Sequence, residues 1–169
     1  MNYSTIREID TANCIGVGVS LFVSGCRNKC EGCFQKETWN FKYGNKYGEK
    51  QKKEIADFIN RDYIDSFSVL GGDPFEPENL KDVADTIKMV RDKRKDIKIY
   101  IWSGYLYENL VTDDYIRDNI LRYCDYLIDG KFENDKKDLS LTLRGSSNQR
   151  IIDLRSGINV TEEFEGNKR

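Results

Sequence analysis

The chain has no histidine in its 169 residues, so no imidazole is available to complete a metal site. Proline is nearly absent too. Pro74 and Pro77 are the only two, and both fall inside one short loop, so no proline-rich linker divides the chain. No segment approaches the ~20 apolar residues of a membrane span, and there are no internal repeats or low-complexity tracts. An excess of one charge is also missing. The 27 basic and 29 acidic residues leave a formal net charge of −2, without the basic surplus that usually marks nucleic-acid binding. The opening MNYSTIREID lacks the basic start and apolar core of a secretory signal. The expectation from these absences is a cytoplasmic protein that engages neither membrane nor nucleic acid.

What the chain does have is five cysteines, three of them in GCRNKCEGCFQKETW, residues 25–39. An odd, clustered set in an unsecreted chain reads as metal or redox chemistry, not as a disulfide framework. Cys14 and Cys124 stand alone and read as small buried hydrophobes. Cys26, Cys30 and Cys33 form C-x3-C-x2-C on one tight loop. A structural zinc would want a fourth ligand from Cys14, Cys124 or a carboxylate. An iron–sulfur cubane also normally takes four cysteines. Three leave one iron without a protein ligand, and an open coordination position marks catalysis more than scaffolding. A redox dithiol fits poorly, because the C-x2-C pair lacks a helix-start context.

The length suits one domain that buries roughly 70% of its unfolded surface. Apolar β-branched runs predict strands at 15–23, 66–70, 97–102, 125–128 and 149–154. Helical spacing predicts helices over 48–60, over 77–90 with Pro77 at a first helical position, and after Thr112 as a cap. Strands alternating with helices imply a parallel β/α arrangement whose strand C-termini share one edge. The cysteine cluster, GGDP, SG and DGK follow four successive strands, so all four converge on the edge where such sheets bind ligands.

C-x3-C-x2-C after a first strand resembles the signature of the radical S-adenosylmethionine (radical SAM) superfamily. CRNKCEGCFQKETW, LGGDPF, IWSGY, YLIDGKF and RGSSNQRIIDL stand in the order seen in activating proteins of the anaerobic ribonucleoside-triphosphate reductase. The resemblance covers about residues 14–155. It implies an α/β fold, a partial (open) β/α barrel with mostly parallel strands, formed by a radical SAM domain over 1–155 with a C-terminal tail over 156–169.

The resemblance also implies an enzyme. Its [4Fe-4S] cluster cleaves S-adenosylmethionine reductively and leaves a glycyl radical on the reductase, with a reduced flavodoxin-like protein as electron donor. Carried over, Cys26, Cys30 and Cys33 are the cluster ligands. Gly71, Gly72 and Asp73 meet the methionine amino group, and Ser103 adds a further contact. Lys131 meets the carboxylate, and Asp129 meets the ribose, the ammonium or a bound monovalent cation; alternation in an extended segment would put both on one face. Relatives carry an aromatic residue just before the third cysteine. Here that position is Gly32, leaving the backbone of Gly32–Phe34 or the Phe34 ring to meet the adenine. Trp39 and Tyr105 read as packing residues, and Arg144–Arg150 reads either as lining the opening where the target glycine enters or as holding the late strand. The rival readings are activation of another glycyl-radical enzyme of the pyruvate formate-lyase type, and a non-enzymatic zinc-binding module.

Overall fold

A computed structural model describes residues 1–166. The central strands form where apolar β-branched runs were expected. β1 (Asn2–Asp10) comes first, then β2 (Gly18–Val23), the short β3 (Asn45–Lys46), α1 (Glu49–Ile59) and β4 (Ser66–Gly71). α2 (Leu80–Lys93), β5 (Lys98–Ser103), α3 (Tyr107–Leu110), α4 (Asp114–Asn119) and β6 (Tyr126–Asp129) complete the alternating part. β7 (Arg150–Asp153), β8 (Ile158–Asn159) and α5 (Thr161–Glu165) follow. Of residues 156–169, expected as a tail, 156–166 include a strand paired to β7 and a helix whose Phe164 packs on the sheet, and 167–169 lie outside the described residues.

The described strands make one eight-stranded sheet in the order β3-β1-β2-β4-β5-β6-β7-β8. This corrects the expected barrel. The sheet is open and mixed: β2-β4, β4-β5 and β5-β6 are parallel, whereas the four flanking pairings are antiparallel. The cause lies in the connections. A parallel return needs a crossover, usually a helix. Residues 130–149 contain no crossover helix, just a short 3-10 turn at Asn134–Lys136 and a single antiparallel bridge between Lys137 and Ser146, so the chain comes back beside β6 antiparallel. β1 enters from the other side, also antiparallel.

From β2 through β4 and β5 to β6 the order advances in one direction, so right-handed crossovers put their helices on one face. Val19, Leu21, Val23, Phe67, Val69, Ile99, Ile101 and Leu127 point to that face and pack against Ile55, Ile59, Val83, Ile87, Val90 and Ile116. The opposite face carries Ser20, Phe22, Ser68, Tyr100 and Trp102, by alternation along the same strands. The loop after β1 covers part of it. Ser68 Oγ donates to the Asn13 carbonyl at 2.6 Å, and Ser20 Oγ donates to Asp10 Oδ2 at 2.7 Å. The remainder, toward the strand C-termini, stays open.

Two helix starts differ from expectation. α2 begins at Leu80, three residues past Pro77, because Asp73, Glu76 and Asn79 first form turns of their own. Asp113, not Thr112, caps α4 by accepting from the Ile116 N–H, while the Thr112 hydroxyl donates to the Asn109 carbonyl.

Candidate functional site

A cavity of about 510 Å³ opens at the C-terminal ends of the parallel strands, within the size range of small-molecule sites. Of the residues singled out from the sequence, it gathers Cys26, Cys30, Cys33, Phe34, Gly71, Gly72, Asp73 and Ser103. Gly32, Asp129 and Lys131 are not among its lining.

The cysteine loop leaves β2 and is pinned at its base, where the Gly25 N–H donates to the Thr38 carbonyl at 2.7 Å. The Cys33 N–H donates to the Cys30 carbonyl at 3.1 Å, closing the second half into a turn. Cys26 is buried, while Cys30 and Cys33 are half-buried. Burial pushes the Cys26 thiol above its ordinary pKa, with the Asp73 charge adding to it and the Asn28 and Lys29 N–H groups opposing. Burial raises Cys30 as well, against the Phe132 N–H and the Lys131 charge. Metal binding at such thiols must therefore release protons. Cys14 and Cys124 are buried elsewhere and do not reach the cavity. Among the described residues, no three Cys, Asp or Glu side chains converge as they would around one metal ion. A cubane makes a different demand, because each thiolate meets a different iron.

The donor set fits a cluster in number and chemistry: three soft sulfur ligands on one loop, half-open to a cavity, with backbone N–H groups directed at a sulfur. Gly32 sits at φ +74°, and a Cβ there would run into the Asn134 side chain. An aromatic residue just before the third cysteine would be strained here and would have to displace Asn134. Aromatic surface stands next door instead: Phe34 lies 5.1 Å from Phe132, centroid to centroid, and Lys137 Nζ sits 5.0 Å from the Phe34 ring centroid.

GGDP seals against the cysteine loop. The Gly72 N–H donates to the Val23 carbonyl at 2.7 Å and the Asp73 N–H to the Gly25 carbonyl at 2.8 Å. A Cβ on Gly72 would stand 2.5 Å from the Gly25 carbonyl oxygen, so the glycine serves a backbone–backbone approach. The Asp73 carboxylate is buried and accepts from Asn28, Phe75, Ser103 and Gly104.

DGK divides its two charges. Asp129 is fully buried and accepts from the Arg150 guanidinium and from the Tyr107 N–H. Gly130 adopts φ +99°, which breaks the alternation, and Lys131 is exposed. Gly130 itself lines the cavity.

RGSSNQR was expected to line the opening or to hold the late strand; Arg144, Gly145 and Gln149 line the cavity, and the segment ties its own loop down. Gln149 Oε1 accepts from the Gly145 and Ser146 N–H groups, and its Nε2 donates to the Gly130 carbonyl at 2.9 Å. Asn148 donates to the Lys131 carbonyl, and Arg144 donates to the Ser147 and Gln149 carbonyls and to Glu165. The segment folds the 139–149 loop onto the end of β6, where Leu139, Leu141 and Leu143 form a cavity wall. Asn28 and Trp102, also missed, line the cavity as well. Only the R-N pair inside the cysteine motif and the IWSG context offered a sequence signal for them.

Residues 12–152 match the family model described as a 4Fe-4S single cluster domain, which is the class that a three-cysteine loop beside an open cavity defines. Curated relatives narrow it further. A protein of Enterobacteria phage T4 is 35% identical over 94% of this chain and 97% of its own length. One from Pasteurella multocida is 40% identical over 89% and 96%, and one from Escherichia coli K12 is 34% identical over 92% and 100%. Each is named an anaerobic ribonucleoside-triphosphate reductase-activating protein, and the chain belongs to that family.

Proposed function

We propose that the chain is a radical SAM activating enzyme, carried by residues 1–155, that generates a glycyl radical on the anaerobic ribonucleoside-triphosphate reductase. The observation that carries the reading is the distribution of the thiols. Cys26, Cys30 and Cys33 face one cavity, while Cys14 and Cys124 are buried away from it. That pattern supports a [4Fe-4S] cluster with one iron left for S-adenosylmethionine, and it gives the zinc module no fourth cysteine. When bound and reduced by one electron from the donor, the cluster would supply that electron to the sulfonium, breaking a C–S bond to give methionine and a 5′-deoxyadenosyl radical.

The chain's own residues bind and orient. Cys26, Cys30 and Cys33 hold the cluster. Gly71, Gly72 and Ser103 line the adjoining wall, where backbone carbonyls can accept from an ammonium group. The backbone from Gly32 to Phe34, with the Phe34 ring, offers the adenine contact. Because Gly130 faces the cavity in place of Asp129 and Lys131, the DGK turn contributes through its backbone. A monovalent cation at Asp129 would have to displace Arg150. No described helix is long and apolar enough to cross a membrane, and the reading places the chain in a reducing cytoplasm with a flavodoxin-like donor.

Anaerobic reconstitution with iron and sulfide, followed by a SAM-cleavage assay with and without the reductase, tests the reading. Absence of both methionine and 5′-deoxyadenosine under strong reduction would overturn it. Cys26→Ala, Cys30→Ala and Cys33→Ala should each lose most of the bound iron. Cys14→Ala and Cys124→Ala should keep it, as measured by iron content per chain.

A further inference from the structure

Two carboxylates of the GGDPFE segment are buried beneath the cysteine loop, Asp73 at 1% exposure and Glu76 at 0%. Both join the same pair of loops. Asp73 accepts from Asn28 on the cysteine loop at 2.9 Å, and from Ser103 Oγ and the Gly104 N–H after β5 at 3.0 and 2.9 Å. Glu76 accepts from the Arg27 N–H at 2.7 Å, from the Arg27 guanidinium at 2.6 Å and from the Tyr105 hydroxyl at 3.1 Å. A turn in which the Glu76 N–H donates to the Asp73 carbonyl sets the two side by side.

We propose that Asp73 and Glu76 form a two-point clamp that fixes the Cys26–Cys30 loop over the strand ends, and that both are positioning residues and not ligand contacts. An ionised carboxylate has about four lone-pair sites. Asp73 receives Asn28, Phe75, Ser103 and Gly104, so none is left for an ammonium from the cavity. Hydrogen bonds to a buried charge are the strong kind and leave a costly group when broken. The residues held, Arg27 and Asn28, lie between the first two cysteines, so the clamp governs where those thiols stand. Gly104 completes the fit, since a Cβ there would collide with the Asn28 carboxamide. CRN, GGDPFE and SGY thereby act as one unit, although dozens of residues separate them.

The test reads each loop through a change made on the other. In the iron-free chain, hydrogen exchange is followed at Gly104 in Asn28→Ala and at Arg27 in Tyr105→Phe. Each amide should exchange about tenfold faster than in the wild type, because the shared carboxylate has lost one fixed partner. A second arm rests on the cluster reading: reconstituted Asn28→Ala, Tyr105→Phe and Asp73→Asn should release iron to a chelator about tenfold faster. In Tyr105→Phe, outside the cavity lining, and in Asp73→Asn, S-adenosylmethionine affinity per loaded cluster should stay within about twofold of wild type, as for a residue that makes no ligand contact. Wild-type exchange at both amides overturns the clamp. So does an Asp73→Asn protein with wild-type iron release and a tenfold loss of S-adenosylmethionine affinity, which would make Asp73 a ligand contact. Should the wild type take up no cluster, the proposed function fails and the exchange arm still decides the clamp.

Discussion

At the scale of residues, the cysteines were legible because their chemistry is local: three thiols within eight positions declare a site wherever the loop ends up. Asp73 was legible only as a member of a glycine-rich turn. Its partners, Asn28 and Ser103, come from other loops, and no local pattern encodes their meeting. The same holds for Asp129, whose burial against Arg150 depends on β7 lying antiparallel beside β6. Burial gives Asp73 a measurable signature. It pushes the carboxyl up to about 6, against hydrogen bonds from the Phe75 and Gly104 N–H groups and Ser103. A folded pKa raised above the unfolded value means that the folded state holds the proton more tightly. The contribution is then fully present below the unfolded value of 3.8 and is lost as pH rises through about 6. Urea unfolding of the iron-free wild type and Asp73→Asn at pH 4.5 and pH 7 reads this directly. The wild type should lose stability relative to the variant between the two pH values; a difference that is constant, or that moves the other way, would contradict the assignment.

At the scale of elements, the central strands and α1 and α2 followed from apolar runs and helical spacing, because burial on the sheet writes itself into sequence period. β1 was missed since only its ends are buried: its pattern of exposure leaves most of the strand partly or fully solvated. The 139–149 loop was missed for another reason. Leu139, Leu141 and Leu143 alternate with polar residues as a strand would, yet no strand forms there, and the segment is held largely by side chains reaching backbone groups. Gln149 is the central tie, bonded to Gly130, Gly145 and Ser146. Gln149→Ala leaves two N–H groups and a carbonyl without these partners, at a cost of about 1–3 kcal/mol. The urea midpoint should fall accordingly, and limited proteolysis should cut within 136–149 several-fold faster. An unchanged cleavage rate would mean that the remaining ties, Arg144 to Glu165 and the Trp102 indole N–H to the Leu143 carbonyl among them, hold the loop without Gln149.

At the scale of the whole molecule, the expectation of a partial, open barrel of mostly parallel strands failed because local pattern shows where strands are but not how the last of them returns. With antiparallel strands at both ends of the sheet, the cavity at the parallel strand ends stays open on one side. The open side is edged by apolar groups on two different loops: Leu139 is 78% exposed and Phe34 is 55% exposed. Large exposed side chains grouped at a cavity mouth mark a contact surface more than chance. Under the proposed function the occupant is the loop of the reductase that carries the target glycine, and an apolar anchor seated on this rim would hold it. Interface anchors of this kind are worth about 1–2 kcal/mol or more each. Leu139→Asp should therefore reduce the glycyl-radical yield on the reductase about tenfold at sub-saturating partner, while the iron content of the activating chain stays at the wild-type level. The deficit should narrow as reductase concentration is raised, because the substitution weakens docking and leaves the cysteine loop intact. A wild-type yield at low partner concentration would remove the rim from the docking surface.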